Sequence, residues 1–124
     1  MEAIRPLRLR LRLTTTHGVV MGPGRADLLT LIAQTGSIAE AGRQMKMSYR
    51  RAWALVESMN ASFSTALVET SKGGAERGGA RLTKLGETLL AAYRELEVTN
   101  HKAALPALDL FESVLVVPPA AKPG

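Results

Sequence analysis

Residues 35–60, TGSIAEAGRQMKMSYRRAWALVESMN, read as two short helices joined by a tight turn, and that pairing limits what the rest of the chain can be. Gly36 can close a preceding helix because glycine tolerates positive φ at a helix end. Ser37 and Glu40 then form S-x-x-E, the pattern of a capping box in which hydroxyl and carboxylate satisfy free backbone N–H groups. Ile38, Ala41, Gly42 and Met45 follow at i, i+3, i+4, i+7 and define one apolar face. The small residues Ala41 and Gly42 allow a second helix to cross closely. Lys46 and Met47 make the turn, and Ser48 is a good N-cap for the next helix.

At about 100° per residue, Ala52, Leu55, Val56 and Met59 of that second helix share a face, with Tyr49 and Trp53 on its flank. Arg50, Arg51, Ala54 and Ser58 fall on the other side. Two arginines around a small alanine suit a helix that enters a major groove, since arginine reaches guanine O6/N7 or phosphate and alanine permits close approach. A solvated basic face on an ordinary helix has the same composition, so this stretch alone leaves both readings open.

A chain of 124 residues is one domain with an arm or tail. Its 46% apolar fraction is ordinary for a globular protein, and with five aromatic residues the core must be aliphatic. The absence of cysteine excludes disulfides and thiolate metal sites. No apolar run approaches the roughly 18 residues of a membrane span, and no signal-peptide pattern is present, so a cytoplasmic protein without membrane contact is expected. The net charge of +5 is unevenly placed. Residues 1–60 hold nine Lys/Arg against four Asp/Glu, residues 72–84 four against one, and residues 85–112 two against five. One basic and one acidic surface is the footprint of a chain that presents a single side to phosphates.

Leu7, Leu9, Leu11 and Leu13 alternate with Arg8, Arg10 and Arg12, the period-2 signature of a half-buried strand. A structural strand is the expectation; a membrane-active strand and an edge that pairs with another subunit are the rivals. Gly22-Pro23-Gly24 is a break. A helix follows over about residues 25–35, with Leu28, Leu29, Leu31 and Ile32 for the core and Asp27 in its first turn. Residues 67–71 suit a strand, residues 72–80 contain four glycines, and residues 81–83 resume extended structure. After three helices such a hairpin is the wing of a winged helix. A nucleotide-cradling loop would need G-x-x-x-x-G-K-[ST] or G-x-G-x-x-G leading into a helix, and neither occurs. Lys72, Arg77 and Arg81 equip the hairpin for phosphate or minor groove; a plain connecting loop is the bland reading.

Thr83 caps a long helix from Lys84 to about Leu105, where Pro106 is expected to interrupt it. Leu85, Leu89, Ala92, Leu96 and Ala103 form a stripe with Leu90 and Tyr93 beside it. One small domain cannot cover so long a stripe, so Leu89, Leu90, Tyr93, Leu96 and Leu105 are expected at a dimer interface; packing on the chain's own core is the alternative. An apolar extension reaches residue 117, and residues 118–124 should be a loose tail. His17 and His101 lack metal-ligand partners, seven of the eleven carboxylates are scattered after residue 60, and no nucleophile motif exists. No active site, metal or cofactor is expected, and the protein is not read as an enzyme.

Gly22-Pro23-Gly24-Arg25, Gly36-Ser37-Ile38, Met47-Ser48-Tyr49-Arg50-Arg51-Ala52-Trp53, Met59-Asn60, Leu67-Val68-Glu69-Thr70, the glycines of 73–79 and Leu82-Thr83-Lys84-Leu85-Gly86 together resemble the N-terminal DNA-binding domain of ModE-type molybdate-responsive transcriptional regulators. The likeness covers roughly residues 20–98; that to LysR-type winged helices is more distant. It implies a mainly α fold with a small β-sheet (α+β). The layout is an N-terminal strand and loop (1–21), a winged helix-turn-helix (22–83) and a long dimerisation helix with its extension (84–117). A homodimer binding an inverted-repeat operator in double-stranded DNA is implied with it. On matching positions, Ser48, Tyr49, Arg50 and Arg51 begin the recognition helix and residues 72–81 form the wing. The expected DNA-side set is Ser37, Lys46, Ser48, Tyr49, Arg50, Arg51, Ala54, Lys72, Gly73, Gly74, Arg77 and Arg81. Full-length members sense molybdate through C-terminal oxyanion-binding domains. This chain shows none, so a stand-alone form that does not itself bind molybdate is expected. A protein–protein adaptor using the long helix and apolar tail, or a small oxyanion-binding protein using the Gly-rich loop, are the readings from other classes.

Overall fold

A computed structural model describes residues 5–71 and 79–116. In chain order the elements are β1 (Leu13–Thr15), β2 (Gly18–Met21), α1 (Pro23–Thr35), α2 (Ile38–Gln44), α3 (Tyr49–Ser62), β3 (Val68–Thr70), β4 (Ala80–Leu82) and α4 (Lys84–Ser113). The result is α+β, mainly helical, with two separate two-stranded antiparallel sheets.

The helix starts follow the capping chemistry, with two departures. Pro23 opens α1, where its missing N–H costs nothing, so the helix begins earlier than expected and Asp27 lies beyond the first turn. Asp27 instead holds Arg94 of α4 at 2.8 Å. Gly36 ends α1 at φ 72°, its N–H bonded to Ile32 O at 2.8 Å. Ser37 caps α2 by accepting from the Glu40 N–H at 3.0 Å. Only this half of the capping box forms, because the Ser37 N–H donates to Thr35 Oγ1 and the Glu40 carboxylate binds Arg43 and Gln44.

Pro106 does not end α4, which runs through it to Ser113. Proline removes a single N–H, and its would-be partner, the carbonyl of Lys102, belongs to an exposed residue that water can reach. Losing one bond late in a 30-residue helix is not enough to break it.

The leucine–arginine alternation does not build the strand expected over residues 7–13. Only Leu13–Thr15 pairs, with Gly18–Met21, and the register shifts between Leu13 and Thr14. Residues 5–12 instead run along α4. The Tyr93 hydroxyl donates to Leu11 O at 2.7 Å, the Leu7 N–H donates to Glu112 at 3.3 Å, and Arg5 holds Asp109 at 2.6 Å. Leu11 packs on the core while Leu9 stays 48% exposed, so the leucines do not share one dry face. A strand needs a ladder partner, and the neighbour here is a helix.

The second hairpin forms as expected, pairing Val68 with Leu82, Glu69 with Arg81 and Thr70 with Ala80. Its Val68, Ala80 and Leu82 side chains join Leu28, Leu29, Ile32, Val56, Met59 and Leu67 in one aliphatic core. Burying each large member fully is worth roughly 1.5–3 kcal/mol. α2 and α3 cross at Gly42, where a Cβ would come within 2.9 Å of Ala52 Cβ. None of the described helices is long and apolar enough to cross a membrane.

Asn60 joins α3 to the hairpin. Its Oδ1 accepts from the N–H groups of Leu67 (2.8 Å) and Val68 (3.0 Å), and its Nδ2 donates to Val68 O (3.0 Å). Asn60→Ala should cost about 2–3 kcal/mol in urea unfolding, because two backbone N–H groups at the entry to β3 lose their acceptor. Asn60→Asp keeps that acceptor and should cost less; equal losses would show that the Val68 O contact dominates.

Candidate nucleic-acid interface

Burial of Ala52, Val56 and Met59 sets the roll of α3 about its axis. Arg50, Arg51, Ala54 and Ser58 are then left exposed. Ser48 starts the helix by accepting the Arg51 N–H at 3.1 Å. Lys46, exposed in the α2–α3 turn, adopts φ 60°, a left-handed conformation that costs a side-chain-bearing residue about 1–2 kcal/mol. Tyr49 and Trp53 meet edge-to-face at 6.1 Å. Trp53 packs partly on the core, whereas Tyr49 is 58% exposed.

A cleft of about 710 Å³ separates this flank of α3 from the β3–β4 hairpin, lined by Ser37, Ile38, Tyr49, Trp53, Thr70, Ser71 and Gly79. It brings together Ser37 and Tyr49 from the expected set. Thr70 and Ser71 line the same cleft and lie outside the expected set; Trp53, expected on the flank of α3 beside Tyr49, lines it too. The Ala80 N–H donates to Gly36 O at 2.9 Å and ties the hairpin to the α1–α2 corner. Lys72, Gly73, Gly74 and Arg77 lie outside the described residues.

The cations divide into two groups. Arg5, Arg43, Arg81 and Arg94 hold carboxylates. For Arg94, burial works against the charge, but bonds to Asp27 and Glu97 outweigh it and raise the pKa. Arg81 holds Glu69 at 2.7 Å across the strands, on the face of the hairpin opposite the buried Ala80 and Leu82. Its charge is therefore partly neutralised. Arg50, Arg51 and Lys46 make no ion pair among the described residues, and their charge is presented to solvent.

Along α4 the expected interface residues separate. Tyr93 is 2% exposed and bonded to Leu11, inside its own chain, because the N-terminal arm covers it. Leu89 and Leu90 pack partly on the core. Leu96 is 37% exposed and edges a small apolar cavity of about 140 Å³ with Leu13, Val20 and Phe63. Leu105 is half-buried. Val98 is open as well, and further open apolar residues follow at Leu110, Phe111, Val114 and Val116. His17 sits beside Thr16 in the β1–β2 turn, and His101 is exposed on α4.

The arrangement is that of a mainly helical α+β domain that turns a basic helix, flanked by a hairpin and an aromatic pair, towards solvent. No family model matches the chain. It is 41% identical over 103 residues to the molybdenum-pterin-binding protein MopB of Rhodobacter capsulatus, covering 83% of this chain and 37% of that protein. It is 35% identical over 100 residues to the molybdenum transport protein ModE of Azotobacter vinelandii, covering 81% and 37%. With the DNA-binding transcriptional dual regulator ModE of Escherichia coli (strain K12) the identity is 38% over 81 residues, covering 65% and 31%. By sequence the chain belongs to the ModE-type family. It spans about a third of the length of these relatives.

Proposed function

We propose that the chain is a sequence-specific DNA-binding transcriptional regulator of the winged helix-turn-helix type, acting as a homodimer on an inverted repeat. The observation that carries this reading is the outward Arg50–Arg51 pair, without an ion-pair partner among the described residues, on a helix whose other face is locked into the core. In this reading α3 enters the major groove, with Arg50 and Arg51 on base edges or phosphates and Ala54 allowing close approach. Ser37, Lys46, Ser48 and Tyr49 line the approach, and residues 72–81 act as the wing on backbone or minor groove. Two of the three relatives above are named for ModE, one of them as a DNA-binding regulator, which supports the assignment.

Selection of bound duplexes from a random pool tests it. A consensus with two-fold symmetry is expected, and recovery of no enriched sequence would sink the proposal. The exposed apolar end of α4 favours self-association as the source of that symmetry, and equally suits the second reading, a protein–protein adaptor. Salt-insensitive association with a different protein, with no DNA bound, would favour the adaptor. The oxyanion-binding reading predicts heat on titration of molybdate into the chain; none is expected.

A further inference from the structure

Among the described residues no carboxylate pairs with Arg25, although it sits where one would help it. It lies in the first turn of α1, where the helix dipole disfavours positive charge, and no acidic residue shares that turn. Asp27, close in sequence, is committed to Arg94. Burial presses the Arg25 pKa below the ordinary arginine range, so the folded state carries this charge at a cost. Its Nη1 donates instead to Ser58 Oγ at 3.1 Å, across 33 residues of sequence. Ser58 is on the outward side of α3, two helical turns beyond Arg51 and one beyond Ala54. The neutral hydroxyl fixes the guanidinium at the edge of the exposed face without cancelling its charge, and it occupies one of five N–H donors.

We propose that Arg25 is a further DNA contact, taking a backbone phosphate beside the base pairs under α3, with Ser58 as its positioning residue. The proposal rests on the DNA-binding reading above. A phosphate supplies the anion the site lacks, and a guanidinium suits its oxygens bidentately. Such a contact orients the protein on the duplex and carries no sequence preference.

The test compares wild type with Arg25→Gln, Arg25→Lys and Ser58→Ala. Each binds the best duplex from the selection and a random duplex of the same length, across a series of salt concentrations. For each protomer bound, Arg25→Gln should lower the slope of log K against log salt by about 0.9 and weaken binding about fivefold at 0.15 M salt, the counterion term for one phosphate. The factor should be the same on both duplexes. Arg25→Lys should retain the wild-type slope, and Ser58→Ala should retain it with a smaller loss of affinity. Wild-type affinity and slope in Arg25→Gln would overturn the proposal. So would a loss confined to the selected duplex, which assigns Arg25 to a base. Equal losses in Gln and Lys variants with an unchanged slope would make the residue structural and overturn it too. If wild type binds neither duplex, the DNA-binding reading itself has failed, which is a separate result.

Discussion

Gly86→Ala should destabilise the protein by about 3 kcal/mol and lower its thermal midpoint by about 15 °C. Helix propensity argues the other way, since alanine is better than glycine inside a helix by about 1 kcal/mol. Contact decides the sign. A Cβ at Gly86 would sit 2.2 Å from Leu67 O and 3.1 Å from its carbonyl carbon. That carbonyl cannot simply swing aside, because it accepts the Thr83 N–H at 2.9 Å while the Leu67 N–H is held by Asn60. Accommodating the methyl means moving α4 away from the strand entry and opening the contact that seats β3 on the core. Gly24→Ala is the control, since nothing lies within 4 Å of its added Cβ. It should be neutral or slightly stabilising. If thermal melts show Gly86→Ala as stable as wild type, the close approach of α4 to Leu67 is wrong.

Arg50→Ala should weaken binding to the selected duplex by about 1–3 kcal/mol, roughly 5- to 150-fold, and relax preference at one position of each half-site. The magnitude is that of a bidentate arginine–guanine contact made by a side chain with no competing carboxylate among the described residues. Competition against duplexes with single base-pair changes measures it. Equal weakening on every duplex would assign Arg50 to phosphate instead. Arg51, on the same stripe as Ser58, is closer to the Arg25 edge of the face, and Arg51→Ala should weaken all duplexes alike. Thermal midpoints of both variants should match wild type, because both side chains are exposed and make no ion pair among the described residues. A drop in midpoint would mean that these arginines serve the fold.

Much of the frame was legible in the residues. Ser37, Ser48 and Thr83 cap helices because a short hydroxyl side chain can reach the N–H three residues on, a purely local geometry. The core face of α3 follows from helical period, and the outward arginines follow from the same count. Gly42 and its neighbour Ala41 announced a close helix crossing, which the Gly42–Ala52 approach realises.

Other features depend on what the chain packs against, which no local pattern encodes. Alternating leucines and arginines suit a strand, yet residues 5–12 met α4 and not a ladder, and Tyr93 was covered in the process. Pro106 lost one backbone bond on an exposed stretch, too little to stop a helix already formed. Arg81, expected to face phosphate or minor groove, holds Glu69 because strand register places the two opposite each other. The roles of Asn60 and Arg25 are not legible locally, because their partners come from other elements. The sequence by itself determined which helices form and which face of α3 is polar, since caps and periodicity act within a few residues. Tertiary structure alone decided which charges stay unpaired and which apolar residues stay open, because both depend on neighbours brought together across the fold.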